Sequence, residues 1–129
     1  MPLKILYVDD EPDIREIAIF ALELDGTIEA SGCASGAEAL DRVRAARPDL
    51  VLLDVMMPGL DGPATLARLR GMREGRDLPV VFITAKAGAR DTDRFLALGA
   101  LGVIAKPFDP MALAGQVHRF WAQVTQEKT

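Results

Sequence analysis

Cysteine is almost missing from this chain. Cys33 stands alone, so no internal disulfide can form and a reducing compartment suits the composition; we read it as a small, semi-buried residue. Long apolar runs are missing too. The longest uncharged stretch, residues 95–105, contains two glycines and is too short to cross a bilayer. The first twenty residues carry five acidic groups and lack the apolar centre of a secretory signal, which makes a cytoplasmic location the expectation. There is no basic stripe. The formal net charge is −4, with −8 over residues 1–61 and +4 over residues 62–129, which disfavours nucleic acid as a partner. Arg68, Arg70, Arg73 and Arg76 lie close together and read as the wet face of a helix, with a partner surface as the alternative. Internal repeats and low-complexity segments are absent.

What remains is an ordinary globular composition over 129 residues, long enough to bury a core as one domain. The chain can be arranged around Leu50-Val51-Leu52-Leu53-Asp54. Four apolar residues followed by the turn-rich Met56-Met57-Pro58-Gly59 read as a strand buried on both faces that stops at Asp54. In an open parallel sheet, ligands bind just beyond the carboxyl ends of the strands, so the Asp54 carboxylate points into the expected site.

In chain order, Lys4 to Val8 is a strand that delivers Asp9, Asp10 and Glu11 at its tip. Pro12 suits a first helical turn, and Ile14, Ile17, Ala18, Ala21 and Leu24 repeat at helical spacing until Gly26. Thr27 to Ala30 is a weaker strand, followed by a loop through Gly32 and Cys33. Ser35 and Glu38 form a capping-box pattern for a helix carrying Ala37, Leu40 and Val43, which stops before Pro48. Past Asp54, Asp61 caps a helix bearing Leu66, Leu69 and Met72. Pro79 to Thr84 is the most strand-like run. A short helix from about Arg90 to Leu98 leads to a strand near Leu101 to Ala105, which ends on Lys106-Pro107. Asp109 and Pro110 open a final helix with Leu113, Val117, Phe120 and Val124 as its buried stripe. The domain is placed at residues 1–124 and a polar, fraying tail at 125–129. Five strands alternating with five helices predict an α/β fold, a doubly wound parallel sheet covered on both faces.

Four strands then end in chemistry: Asp9 and Asp10, Asp54, Thr84 and Lys106. Carboxylates about 4 Å apart repel by roughly 1 kcal/mol per pair in water and nearer 4 at an effective dielectric of about 20. They need a cation, and Mg²⁺ suits one or two carboxylates while leaving room for a phosphate oxygen. Lys106 adds a point charge and Thr84 a hydroxyl. Such positioning and neutralisation around a nucleophile is what phosphoryl transfer demands. Taken singly, each residue also has a structural reading: Asp9 or Asp10 as a helix cap, Thr84 as a plain strand end, Lys106 as a surface charge. His118 reads as a surface residue without a partner for metal or acid-base work, and Trp121 as half-covering the core edge.

The motifs Val8-Asp9-Asp10-Glu11, Leu53-Asp54-Val55-Met56-Met57-Pro58-Gly59-Leu60-Asp61-Gly62, Ile83-Thr84-Ala85 and Ala105-Lys106-Pro107-Phe108, in this order and spacing, resemble the receiver domain of bacterial response regulators, the CheY-like fold. The resemblance spans roughly residues 3–124 and implies a strand order of 2-1-3-4-5. It implies Asp54 as phosphoacceptor, loaded from a phosphohistidine on a sensor histidine kinase or histidine phosphotransfer protein. It implies Mg²⁺ held by Asp9 and Asp10, the latter favoured as direct ligand, with Asp54 and the Met56 backbone carbonyl. Thr84 and Lys106 would bind the phosphoryl group, and the Lys106-Pro107 bond would be cis. Met56 and Lys86 lie where the family tunes dephosphorylation. One departure stands out: the family usually carries an inward-rotating aromatic residue three positions before the lysine, where this chain has Val103.

The leading expectation is therefore a phosphorylation-driven switch in a two-component phosphorelay. It would change which downstream protein binds the face made by the fourth helix, fifth strand and fifth helix, as a monomer or a phosphorylation-dependent dimer. Its chemistry would be limited to Mg²⁺-dependent self-phosphorylation and self-dephosphorylation. The alternative is a receiver-like interaction module that works without phosphorylation, which Val103 makes conceivable. A true enzyme or flavin carrier is disfavoured, since no general acid accompanies the nucleophile and no phosphate loop follows the first strand. Residues past 124 leave no room in this sequence for a DNA-binding or catalytic output domain; a full-length regulator and a piece of a larger protein both fit.

Overall fold

A computed structural model describes residues 1–127. Five strands, β1 (Leu3–Val8), β2 (Ile28–Cys33), β3 (Leu50–Asp54), β4 (Val80–Thr84) and β5 (Gly102–Ala105), alternate with five helices. These are α1 (Pro12–Glu23), α2 (Gly36–Ala45), α3 (Gly62–Arg70), α4 (Ala89–Ala97) and α5 (Pro110–Glu127). All the strand pairings are parallel, in the order β2-β1-β3-β4-β5, as the sequence led us to expect.

The period of two along each strand divides the core. Leu3, Ile5 and Tyr7 of β1, with Leu50 and Leu52 of β3, pack against Ala18 and Leu22 of α1 and Leu113 and Val117 of α5. Leu6, Val8, Val51 and Leu53 face the other way, onto α2, α3 and α4 through Val43, Leu66, Leu69 and Phe95. The central strands β3 and β4 are buried along their whole length, which is why they read as unbroken apolar runs.

Helix starts follow the expected chemistry. Ser35 Oγ accepts from the Glu38 N–H at 3.1 Å, while the Glu38 carboxylate reaches back to the Ala34 N–H at 2.8 Å. Asp61 Oδ1 caps α3 by accepting from the Ala64 N–H at 2.9 Å, and Asp109 Oδ1 accepts from the Met111 N–H at 2.9 Å.

Several expectations are corrected. β2 runs to Cys33 rather than stopping at Ala30, with Gly32 paired in register to Tyr7; a half-exposed edge strand containing Gly imitates a loop. In α1, Ala18 and Ala21 are buried as expected, together with Leu22, whereas Ile17 and Leu24 are exposed, as is Phe20, because residues 17–22 are all apolar and their periodicity does not select one face. In α2 the buried residues are Gly36, Ala39 and Val43 rather than Ala37. Arg70 is not a wet residue: its guanidinium donates to the carbonyls of Gly75, Leu78 and Gly99, closing the α3–β4 connection onto the end of α4. His118 has a partner, with Nε2 at 3.1 Å from Asp25 Oδ2. Helix α5 continues past residue 124 to Glu127, since no Pro or Gly follows Gly115 within it and Thr125 Oγ1 bonds back to the Trp121 and Ala122 carbonyls. The remaining tail positions, Lys128 and Thr129, lie outside the described residues. Among the described residues no helix is long and apolar enough to cross a membrane.

Candidate functional site

The parallel order places the tips of β1, β3, β4 and β5 along one edge of the sheet, and the expected residues meet there. Asp9, Asp10 and Asp54 each offer one carboxylate oxygen, and these oxygens lie within 4.8 Å of one another. Lys106 Nζ lies 3.0 Å from Asp9 Oδ2 and 3.4 Å from Asp54 Oδ1, with Glu11 Oε1 at 3.9 Å. The Lys106-Pro107 bond is cis. Thr84 Oγ1 accepts from the Lys86 N–H at 3.0 Å, which leaves its hydroxyl hydrogen to donate elsewhere.

Asp9 is fully enclosed, Asp54 is only 3% exposed, and Asp10 is half-buried. Burial, then the charge of Asp9, pushes the Asp54 carboxyl up to about 6, against the opposing pull of Lys106 and the Met56 N–H. Burial alone would lower the affinity of Lys106 for its proton, but hydrogen bonds and charge attraction from Asp9 and Asp54 outweigh it, so the ammonium sits above its ordinary range. A donor set made only of carboxylates fits a hard divalent cation such as Mg²⁺ and not a soft one.

The backbone around Asp54 is equally constrained. Gly62, the first residue of α3, donates its N–H to the Val55 carbonyl at 2.9 Å. A Cβ there would lie 2.6 Å from the Asp54 carbonyl oxygen and 2.8 Å from Val55 Cα, so only glycine lets α3 begin this close to the tip of β3.

Two further residues reach the site that the sequence reading left out. The Tyr7 hydroxyl donates to Asp9 Oδ2 at 3.2 Å; the available signal was its place two residues before Asp9 on a strand, hence on the same face. Burial, then Asp9, raises its hydroxyl above the ordinary phenol range. Arg15 Nη1 donates to the Asp9 backbone carbonyl at 2.7 Å, tying α1 to the turn that carries the acids. Val103 is half-buried on β5 and packs against Phe82 and Phe95's side of the core. Cys33 is buried, and burial pushes its thiol up to about 11.

Next to the acids lies a concavity of about 330 Å³, almost entirely apolar, lined by Ile14, Ile17, Ala85, Lys106, Pro107, Phe108 and Pro110. Ile17 and Pro110 carry it into a second hollow of about 360 Å³ with Phe20, Leu24 and Met111. A continuous apolar strip thus runs from Lys106 along α1 and the start of α5.

Comparison with known proteins agrees with this arrangement. The family model described as "Response regulator receiver domain" matches residues 5–118. The chain is 37% identical over 122 residues to response regulator Rre1 of Synechocystis, covering 95% of this chain and 53% of that protein. It is 39% identical over 119 residues to the phosphate regulon transcriptional regulatory protein PhoB of Escherichia coli, covering 91% and 51%. The chain spans about half the length of the curated relatives it matches. Among solved structures, the chemotaxis response regulator CheY4 of Vibrio cholerae superposes with a TM-score of 0.86 at 30% identity, covering 93% of this chain and 99% of that one. The sheet order, the acids and lysine at one sheet edge, and these similarities agree: the chain belongs to the family of response regulator receiver domains of two-component systems.

Proposed function

We propose that Asp54 is the phosphoacceptor of a His-Asp relay. One carboxylate oxygen attacks the phosphorus of a phosphohistidine on a sensor kinase or phosphotransfer protein; a P–O bond forms as the P–N bond breaks, and the electron pair leaves on the imidazole nitrogen. The observation that carries this reading is the Lys106 ammonium shared between Asp9 and Asp54 in an almost closed pocket of acids. Asp10 and Asp54, with Asp9 and the Met56 carbonyl, would hold Mg²⁺, which would supply neutralisation of the charge that gathers during transfer. Lys106 and the Thr84 hydroxyl bind the oxygens of the transferred group, and the chain performs no chemistry beyond loading and unloading its own aspartate.

The phosphodonor approaches over the apolar strip on α1 and the β5–α5 segment, because that strip borders the acids through Lys106. A contiguous exposed apolar surface of this kind marks an interaction site. Phosphorylation then shifts an existing equilibrium only as far as the phosphoryl group's differential affinity for the two states allows. With Val103 in place of an aromatic rotor, the change travels through Thr84, whose hydroxyl already holds the Lys86 N–H, and the loop from Ala85 to Arg90. It reaches a downstream protein on the α4-β5-α5 face. Nuclear magnetic resonance shifts that stay within the pocket on phosphorylation would refute this route.

Intact mass after incubation with Mg²⁺ and a small phosphodonor tests the core of the reading. The parent chain gains one phosphoryl group and Asp54→Asn gains none. No gain in the parent, with Mg²⁺ binding intact, would favour a phosphorylation-independent interaction module.

A further inference from the structure

Tyr7 is the one tyrosine of the chain and is completely buried. It belongs to the same apolar cluster as Leu3 and Ile5, and its ring meets Phe108 edge-on at 6.5 Å and 66°. Packing at this position needs a ring and has no use for a hydroxyl. The hydroxyl nevertheless donates to Asp9 Oδ2 at 3.2 Å.

That same oxygen receives Lys106 Nζ at 3.0 Å, while Asp9 Oδ1 accepts the Glu11 N–H at 3.0 Å. Two donors therefore share one oxygen of a carboxylate closed off from solvent. A phosphoryl group on Asp54 competes with Asp9 Oδ2 for the Lys106 ammonium, and each lysine donor turned toward it is withdrawn from the carboxylates that hold it now. A buried carboxylate oxygen abandoned by its donor costs the full desolvation penalty. Tyr7 prevents this in two ways: by sharing Oδ2 it weakens the grip of Asp9 on the lysine, and after the lysine departs it keeps that oxygen hydrogen-bonded.

We propose that Tyr7 is a positioning residue for phosphoryl loading, its phenol holding Asp9 in place while Lys106 changes partners from Asp9 to the phosphoryl group. The proposal rests on Asp54 being the phosphoacceptor. It predicts opposite effects on two measurable steps. Removing the hydroxyl leaves Asp9 richer in charge, so Mg²⁺ binds at least as tightly, yet Lys106 is harder to release, so loading slows.

The test uses Tyr7→Phe, which keeps the ring against Phe108. Loading from a small acyl phosphate is followed by intact mass, and Mg²⁺ affinity is measured separately by calorimetry. Loading is expected to slow about five- to tenfold, the scale of one ordinary intramolecular hydrogen bond, with Mg²⁺ affinity equal or higher. In a Lys106→Met background, where no lysine needs releasing, the same change alters residual loading less than about twofold, the mark of energetic coupling between the pair. Unchanged loading in Tyr7→Phe overturns the proposal. So does slower loading with a matching loss of Mg²⁺ affinity, or an equal loss in the Lys106→Met background, since either would mean a merely structural role. A parent chain that does not load at all refutes the phosphoacceptor reading instead, and the role of Tyr7 falls with it.

Discussion

His118 Nε2 lies 3.1 Å from Asp25 Oδ2, joining α5 to the turn after α1 across 93 positions of sequence. The Thr27 hydroxyl bonds both partners, so the three side chains form one polar clasp.

Hydrogen bonds from Thr27, then those from His118, hold the Asp25 carboxyl below its usual range. A carboxyl lowered by folding stabilises the native state above its unfolded pKa of about 3.9, and this is lost as pH falls through the lower native value. Denaturant titrations of the parent and Asp25→Asn should differ at pH 7 and converge toward pH 3. A difference that persists undiminished at pH 3 would refute the assignment.

Asp54 has the opposite sign. Its carboxyl is raised to about 6 against about 3.9 when unfolded, so between those values the metal-free native state binds more protons than the unfolded chain. The contribution of Asp54 to the stability of the metal-free protein should therefore fall as pH rises from about 4 to about 6, so the stability difference between the parent and Asp54→Asn should change by that slope over this range. Because protonation competes with the cation, Mg²⁺ affinity measured by calorimetry should weaken as pH drops below about 6.

Gly62→Ala forces a Cβ to within 2.6 Å of the Asp54 carbonyl oxygen. Overpacking against backbone costs about 1–3 kcal/mol, and here it displaces Asp54, the proposed phosphoacceptor. Thermal denaturation should show the loss, and Gly62→Ala should load more slowly than the parent at a temperature where both are folded.

Phe20 is 68% exposed on the apolar strip. Phe20→Ser should leave stability within about 0.5 kcal/mol and leave loading from a small acyl phosphate unchanged, while slowing transfer from a phosphorylated kinase domain. Equal rates from the kinase would place the donor's docking surface elsewhere.

The sheet and the convergence of acids and lysine at one of its edges were legible because both depend on local pattern. A parallel strand buried on both faces is a short apolar run, and the acids, Thr84 and Lys106 sit where such runs stop. What escaped notice depends on distant chain. Arg70 resembles any helical arginine until Gly75, Leu78 and Gly99 turn their carbonyls toward it. His118 looks solitary because Asp25 is far away in sequence. The phase of α1 was legible only in part, at Ala18 and Ala21, because Leu22 competes with Ile17 and Leu24 for the core, and only the contact of α1 with α5 decides which side is covered. Tyr7 passed for core since its ring is core, its hydroxyl alone belonging to the site.

Lys106 has two neighbourhoods. Its ammonium stands among the acids, and its stem, with Pro107 and Phe108, walls the apolar hollow beside α1. Linkage between two sites that share a residue is reciprocal. If Asp54 accepts a phosphoryl group, a molecule whose fit in the hollow depends on where that stem lies would shift the phosphorylation equilibrium, and phosphorylation would alter that molecule's affinity by the same factor. A phosphodonor docked there would thus be both the source of the message and one of the conditions under which it can be written.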